Sequence, residues 1–491
     1  MKRINLRLLW IFGVVVILTF AASVTVYHAF GYFYACHPGF DFLIHQESFN
    51  SLSTFESFNP FVISQNIKIF NDHFDPIIFL GIPFVKIFKG HPWGHFLFQA
   101  VWFWGIFIFL FFKLKDRPKV LLLSLFMVVF SGGLLSGLTF PLHPMTWSML
   151  PLIWLCYSIK KKDRVGIIIL ACLLCFFKET FPYGSFLLGV WYFFRKNYKT
   201  SIPIVLFAAS YLFFLIFFRE SFVGTPFPYK DVYLNPLLEN PLERILFLFK
   251  TLDYKSWFYL IYPLAIPLFL VFKWEVWGKK WWKKDEIIPA MIYLIPFIGI
   301  HFLSNIMLKW NRVTFTSIFL GIIIFSSIFR KLFERRVLLS LIIIFTILGS
   351  SRYYTRIFKL LVLKKSKSCV ISENSRRSLT NARKIINAID KTKVIVATSG
   401  FIPWANRVDR ILLPAGGNSA MPERVDYLVL QRNGAGYTVP WSIERVENTM
   451  KICKGKGYLY SDKFAVVIEG PFVKDCMDYI SYNWNTREIV Y

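Results

Sequence analysis

Long apolar runs separated by short basic clusters dominate the first 350 residues of the chain. A helix that crosses a bilayer needs roughly 20 apolar residues, because the hydrocarbon core is about 30 Å thick and each residue adds about 1.5 Å. About eleven runs approach this length, which predicts a mainly α, polytopic transmembrane helical bundle. The runs are residues 8 to 29, 93 to 112, 119 to 138, 143 to 159, 165 to 178, 181 to 194, 201 to 218, 255 to 272, 287 to 307, 314 to 329 and 337 to 350.

The basic residues between these runs predict the side of the membrane on which each loop lies. Cytoplasmic loops accumulate Lys and Arg, whereas translocated loops do not. We therefore predict an integral, multi-pass protein of the cytoplasmic membrane, with its N-terminus inside and the chain after Arg352 outside. With the spans above, all the basic clusters fall on one side: Lys2 to Arg7, Lys113 to Lys119, Lys160 to Arg164, Arg195 to Lys199, Lys273 to Lys284 and Arg330 to Arg336.

Two domains follow from this pattern. Residues 1 to 350 form the predicted transmembrane domain, with outer loops at 30 to 92 and 219 to 254. Residues 351 to 491 change in composition and form the predicted extracytoplasmic domain.

Local patterns in this tail predict a small α/β domain. Ser375 to Ile389 has helical spacing, and Val394 to Ala397 and Tyr427 to Leu430 are short β-type runs. Tyr458 to Ile468 is typical of a hairpin that turns near Ser461 and Asp462.

Cys453 and Cys476 flank the predicted hairpin. Outside the cytoplasm they would meet an oxidising environment in many organisms, and a disulfide is then one option. Two free thiols are the other, because a bridge needs Cα atoms within about 7 Å.

Composition supports the membrane class and argues against a nucleic-acid partner. Hydrophobic residues make up 55% of the chain and the mean hydropathy is +0.49, whereas about 45 to 50% is usual for soluble domains. The net charge of +28 follows the predicted cytoplasmic loops. Nucleic-acid binders instead concentrate basic residues on one solvated face, so we predict no nucleic-acid partner.

Cations at the predicted outer ends of the spans are the first candidates for chemistry. The positive-inside tendency depletes such positions, so Lys178, Arg219 and Arg312 need a reason to be there. One reason is an anionic ligand at the outer surface. The other is an ordinary span end with a snorkelling side chain.

The polar residues of the predicted outer loops allow two interpretations each. Asp41 lies in an aromatic stretch without a neighbouring cation, which favours a functional role. Asp75 lies two residues after His73 and before Pro76, where it suits either a site or the cap of a short helix. His143 precedes Pro144 and is either an interfacial hydrogen-bonding residue or a catalyst.

The order of these motifs resembles the membrane-protein family called domain of unknown function 2079. The resemblance covers most of the chain, and its specificity comes from motif order. Two positions depart from the family pattern, because Pro141 and Thr180 stand where acids are expected. The matching motifs are Phe40-Asp41-Phe42, Asp72-His73-Phe74-Asp75-Pro76-Ile77, Leu142-His143-Pro144 and Phe177-Lys178-Glu179, with Val394 to Ser399, Pro403 to Arg407 and Asp426 to Leu430 in the tail.

That family is similar to the GT-C glycosyltransferases, which take a sugar from a polyprenyl-phosphate carrier at the outer membrane face. The resemblance implies a lipid-linked sugar donor in the membrane and an extracytoplasmic glycan, lipid or protein acceptor. It implies Asp41 as catalytic base or metal ligand. No cofactor is fixed, and Mg²⁺ or Mn²⁺ stays an option with undefined ligands.

The residue types suit this reaction. Displacing a lipid phosphate from a sugar carbon needs a carboxylate for the acceptor hydroxyl and cations for the departing phosphate. The candidates are Asp41, Glu179 and His143 for catalysis, Lys178, Arg219 and Arg312 for the donor phosphate, and His73 and Asp75 as further site residues.

Two other functions compete with glycosyl transfer. A secondary transporter or flippase usually carries ionisable residues near the bilayer midplane, whereas here they collect at the predicted outer ends. A non-catalytic assembly protein that displays the tail domain accounts for the tail but not for polar residues among aromatics.

Overall fold

The computed structural model describes the chain as a mainly helical protein with a small sheet. Two compact units divide it: Met1–Ala22, Phe70–Ile77 and Gln99–Tyr353 form the first, and Ser23–Ile69, Ile78–Phe98 and Tyr354–Tyr491 the second. The described residues are 13–14, 23–24, 27, 45–46, 48–49, 51–53, 58–59, 61–62, 67–72, 74–89, 91–138, 143–223, 288–297, 308–325, 350–351, 353–355, 357–359, 362–363, 372–390, 392–397, 411–412, 425–432 and 443–485.

Short elements precede the first long helix. Strands β1 (Phe61–Val62) and β2 (Ile67–Lys68) pair antiparallel, with Phe61 opposite Lys68. Helix α1 (Ile69–Asp72) and the 3-10 turn Pro76–Gly81 follow, then α2 (Ile82–Ile87).

Apolar helices make up the described part of the chain from residue 92 to residue 325. Two are long and apolar enough to cross a membrane by length and composition, Pro92–Leu114 and the continuous helix Tyr198–Ser221. In chain order the helices are α3 (Pro92–Leu114), α4 (Pro118–Val129), α5 (Gly132–Leu138), α6 (Pro144–Trp147), α7 (Met149–Lys161), α8 (Arg164–Leu174), α9 (Phe181–Phe194), α10 (Tyr198–Phe213), the π-helical turn Phe214–Phe218, α11 (Arg219–Val223), α12 (Ile288–Tyr293) and α13 (Leu308–Phe325).

Two predicted spans are interrupted, so the prediction of one continuous helix over each is wrong. The run 119 to 138 breaks between α4 and α5, where the Ser131 hydroxyl accepts the Leu134 amide and begins a new helix. Gly133 allows α5 to pack tightly on α13, since a Cβ there would overlap Thr316. The run 143 to 159 breaks at Ser148, between α6 and α7.

The predicted span 165 to 178 also ends early, at Leu174. Residues 175 to 180 form turns, in which the amides of Phe176 and Phe177 bond back to Leu173 and Leu174. Pro182 then lies in the first turn of α9, where its missing N–H costs nothing. The structure therefore removes Lys178 from the helix end where the sequence prediction put it. Helix α9 matches the predicted run 181 to 194.

The tail forms a five-stranded mixed sheet between helices. Its strands are β3 (Ile395–Ala397), β4 (Ile411–Leu412), β5 (Tyr427–Gln431), β6 (Gly457–Ser461) and β7 (Ala465–Glu469), and its helices are α14 (Glu373–Ala388), α15 (Ile443–Ile452) and α16 (Lys474–Asn485). The strand order is β4-β3-β5-β7-β6. Strand β3 runs parallel to β4 and β5, and β7 runs antiparallel to β5 and β6.

Each face of this sheet is covered by its own helices, as strand alternation requires. Leu379 and Ile386 of α14 pack on Val467 and its neighbours on one face. Val446 of α15 and Ile480 of α16 pack on Ile468 and its neighbours on the other. The tail thus contains an α/β layered sheet, and the predicted helix, two strands and hairpin are all confirmed.

The disulfide is also confirmed. Cys453 and Cys476 are bonded, with their Cα atoms 4.8 Å apart. The bridge joins Cys453, which directly follows α15, to Cys476 of α16 on one face of the sheet. It closes a loop with a sequence separation of 23. In the chain-entropy view such a loop stabilises the fold by on the order of 3 kcal/mol.

Candidate functional site

Residues 70 to 77 are held by hydrogen bonds to later segments of the first unit. The Phe74 amide donates to Glu179 Oε1 at 2.7 Å. The Ile77 amide donates to the Phe176 carbonyl at 3.1 Å, and Arg219 Nη2 donates to the Phe70 carbonyl at 2.7 Å. Segments that are distant in sequence therefore meet here.

Glu179 satisfies a backbone group that the local sequence leaves without a helical partner. Phe74 lies between α1 and the 3-10 turn, so its amide has no place in either element. A carboxylate is a strong acceptor for such an amide. Glu179 thus has a clear structural task in addition to any catalytic one.

Lys178 is the most unusual residue of the site. Only 3% of its surface is exposed, and within the described chain its ammonium makes no hydrogen bond or ion pair. It lies in the turn before α9, next to Glu179 in sequence and therefore close to residues 74 and 75. A cationic side chain this enclosed and without a bonded partner makes Lys178 a candidate for binding an anion.

Arg219 is buried for a different reason. It is 1% exposed, among the largest fully buried side chains of the described residues, and its guanidinium binds the Phe70 carbonyl. The π-helical turn Phe214–Phe218 directly precedes it. Such turns occur frequently at functional sites because they insert one extra residue into a helix.

The π turn sets the direction of Arg219 relative to Tyr211. Over eight residues of a regular α-helix the side chain would rotate by roughly 80° beyond two full turns. The wider π turn accommodates about one extra residue, which cancels most of this rotation. Arg219 therefore lies on the same helix face as Tyr211. Both residues accordingly contact the segment 70 to 77, Tyr211 through its ring, which lies 6.3 Å from that of Phe74.

Aromatic side chains enclose the charged residues. Ring centroids lie 5.0 Å apart for Phe70 and Phe74, 5.2 Å for Phe74 and Phe214, and 5.5 Å for Phe176 and Tyr211. Charges next to such an apolar cluster interact more strongly than they would at the surface.

Sequence reasoning missed Tyr211. Its hydroxyl is buried and has no hydrogen-bond partner in the described structure, and it interacts electrostatically with Glu179 and Asp75. In the sequence it lies within an apolar, aromatic run, where a Tyr is usually a packing residue. In the sequence, only the separation of eight residues between Tyr211 and Arg219 could have linked the two. That separation puts both side chains on one face of the helix only because of the π turn Phe214–Phe218.

Asp75 belongs to the same cluster, whereas His143 has a local role. Asp75 is buried immediately before Pro76. His143 begins α6, and its Nδ1 accepts the Met145 amide at 3.3 Å. This agrees with the interpretation of His143 as a hydrogen-bonding residue. A neutral imidazole that accepts through Nδ1 carries its proton on Nε2, so it is not poised as a base.

Three predicted site residues lie wholly or partly outside the described structure. Asp41 and His73 fall outside the described residues. Arg312 lies in α13, but its side chain is not among those described. The described residues contain no group of three or more His, Cys, Asp or Glu side chains that could hold a metal ion.

Comparison with protein-family models and with curated proteins found no match for this chain.

Proposed function

We propose that this chain is a GT-C type membrane glycosyltransferase. It crosses the membrane about eleven times and moves a sugar from a polyprenyl-phosphate donor to an extracytoplasmic acceptor. The observation that carries the proposal is the Lys178 side chain, which is 3% exposed and has no bonded partner among the described residues, in the same turn as Glu179, which holds the Phe74 amide. A lysine ammonium binds phosphate as a compact point charge.

The proposed reaction needs one base and one phosphate site. The acceptor hydroxyl oxygen attacks the anomeric carbon of the sugar and loses its proton to a carboxylate. The bond from that carbon to the carrier phosphate breaks, and its electron pair leaves with the phosphate. Lys178 would hold the phosphate and stabilise its growing charge.

We assign the base to Asp41 and a shaping role to Glu179. Glu179 Oε1 already accepts the Phe74 amide, so this oxygen is engaged in holding the segment 70 to 77. The hydrogen bond that His143 Nδ1 accepts from the Met145 amide supports a structural role for His143 over that of a base. Arg219 orders the segment 70 to 77 and adds positive charge to the site.

The test is transfer of label from a radiolabelled polyprenyl-phosphate sugar by the purified protein. Lys178→Met should raise the apparent donor KM by roughly tenfold to a hundredfold, because an ion-paired phosphate contact is lost. Lys119→Met is the matched control, since Lys119 is exposed, and should leave both kinetic constants unchanged. Absence of label loss with the wild-type protein across donor sugars would refute the proposal.

One observation favours a transporter as second candidate. The helices α4 and α5 are separated at Ser131, and α6 and α7 at Ser148. Transporters often bind ions and anionic substrates at the ends of such broken helices. Uptake of label into proteoliposomes without cleavage of the donor would support this candidate over transfer.

A further inference from the structure

We infer that the hydroxyls of Thr180 and Tyr211 complete, with Lys178, an oxyanion-binding site at the N-terminus of α9, and that its ligand is the phosphate of the lipid carrier. The lipid identity rests on the proposed function. The donor set itself rests only on the geometry.

The first support is a shared lack of partners. The Thr180 and Tyr211 hydroxyl oxygens are buried without a hydrogen bond in the described structure, and the Lys178 ammonium likewise has none there. A buried donor left unpaired costs about 1 to 3 kcal/mol. Lys178 and Thr180 flank Glu179 in the sequence, and the Tyr211 hydroxyl interacts with Glu179, so one ligand that accepts hydrogen bonds near Glu179 would satisfy them together.

The second support is the unused cap of α9. Thr180 occupies the N-cap position, where a Thr usually accepts an amide of the first turn, but its side chain makes no such bond. Pro182 removes one of the amides it would receive. The hydroxyl is therefore available to a ligand at a helix end whose dipole favours anions.

The third support connects Tyr211 to the same place. Its ring contacts Phe176, in the turn that carries Lys178, at 5.5 Å. Its hydroxyl interacts electrostatically with Glu179 and Asp75. A buried hydroxyl without a partner is a suitable donor to a phosphate, because a neutral hydroxyl adds a hydrogen bond without adding charge.

The charge balance explains why hydroxyls are needed. Asp75 and Glu179 together offset the formal charges of Lys178 and Arg219, so the cluster offers little net positive field. An oxyanion can then bind only where directed donors face it. A phosphate, with several acceptor oxygens, matches one ammonium and two hydroxyls better than a carboxylate does.

The test measures binding and stability on the same preparations of the full-length protein in detergent. The probes are a short-chain polyprenyl phosphate, the matching polyprenol without phosphate, and inorganic phosphate. Binding is followed by quenching of tryptophan fluorescence, and stability by the midpoint of thermal unfolding. The variants are Thr180→Val and Tyr211→Phe, which keep size and remove only the hydroxyl.

Each variant should weaken polyprenyl-phosphate binding by roughly tenfold, the usual effect of losing a hydrogen bond to a charged group. Its unfolding midpoint should stay equal or rise, because an unpaired buried hydroxyl does not stabilise the empty protein. Tyr183→Phe is the matched control, since Tyr183 also lies near Glu179 but is 43% exposed. It should bind as the wild type does.

The outcomes separate the inference from the proposed function. Unchanged binding in both variants, with a wild type that binds the probe, overturns the inference and leaves the lipid donor intact. Variant-sensitive binding of inorganic phosphate without binding of the lipid supports the oxyanion site and refutes the lipid donor. If the wild-type protein binds neither phosphate probe, the inference of an oxyanion site is refuted. The label-transfer assay then tests the proposed glycosyltransferase function separately.

Discussion

Lys178 and Arg219 are both buried cations, but their surroundings give them different tasks. Arg219 places its planar guanidinium on the Phe70 carbonyl, a directed bond that orders the segment 70 to 77. Lys178 has no such bond within the described residues. The first residue is therefore expected to matter for folding and the second for ligand binding.

The first prediction tests this division. Arg219→Met should lower the free energy of unfolding by about 1.5 to 3 kcal/mol, because a buried, charged hydrogen bond is lost. Thermal unfolding in detergent measures it. Arg117→Met, at an exposed Arg, is the control. If Arg219→Met leaves the unfolding midpoint unchanged, Arg219 does not order this segment.

The second prediction concerns Asp41, the predicted base. Asp41→Asn keeps the size of the side chain and removes its basicity. Turnover should fall by roughly 10² to 10⁴, the usual contribution of acid–base assistance, with little effect on folding. Label transfer and thermal unfolding are measured on one preparation. A well-folded variant with near-normal turnover would remove Asp41 from the catalytic residues.

Some of this site could be predicted residue by residue. Lys178 and Arg219 stood out because cations are rare at outer span ends, where the topology prediction puts them, and Asp75 and Glu179 because they are predicted to lie on the same side. Thr180 and Tyr211 did not, since the sequence cannot show that a hydroxyl lacks a partner. That property arises only when α9, α10 and the turn between α8 and α9 are assembled.

At the scale of elements, the hydrophobic pattern predicted where helices occur better than it predicted whether each helix is continuous. Hydropathy treats residues 119 to 138 as one run, but Ser131 supplies a local cap and Gly133 allows close packing on α13. These are local and tertiary effects that a sliding average cannot detect. In the tail, by contrast, alternation and turn residues predicted the helix and the hairpin correctly, because each sheet face is covered by helices.

The hairpin of β6 and β7 is fixed by Asp462 at its turn. This carboxylate accepts hydrogen bonds from the Ser378 and Tyr460 hydroxyls and from the amides of Phe464 and Ala465. Burial alone would raise its pKa, but these four hydrogen bonds outweigh burial and hold the pKa of Asp462 below its ordinary value of 3.8.

The third prediction follows from the lowered pKa of Asp462. A lowered folded-state pKa means that the charged Asp462 stabilises the hairpin above pH values near 3.8, and that this contribution is lost as the pH falls through the folded-state pKa. Asp462→Asn should reduce the hydrogen-exchange protection factors of β6 and β7 several-fold near neutral pH and remove their acid dependence in this range. Asp478→Asn, at an exposed carboxylate, should change neither. An unaltered pH profile in Asp462→Asn would contradict the prediction.

At the scale of the whole molecule, helical hairpins give an independent route to topology. Helices α7 and α8 are joined at Lys162 and α9 and α10 at Lys196, and both residues adopt the left-handed conformation that ends a helix. Helices joined by such short connections run antiparallel. The two basic loops therefore lie at one end of these hairpins, and the turn with Lys178 and Glu179 at the other.

The last prediction places these ends across the membrane. Basic loops favour the cytoplasm, so residues 162 and 196 should be inside and residue 179 outside; the basic-cluster count extends the same parity to residue 400. A reporter active only in the cytoplasm should work when fused after truncation at residue 162 or 196 and be silent at residues 179 and 400. A reporter active only outside should give the reverse pattern, which excludes silence through poor expression. Activity of the cytoplasmic reporter at residue 179 would place Lys178 on the side away from the proposed lipid-linked sugar, because the donor is used at the outer face. The glycosyltransferase assignment would then fail even if the phosphate site itself binds its probe.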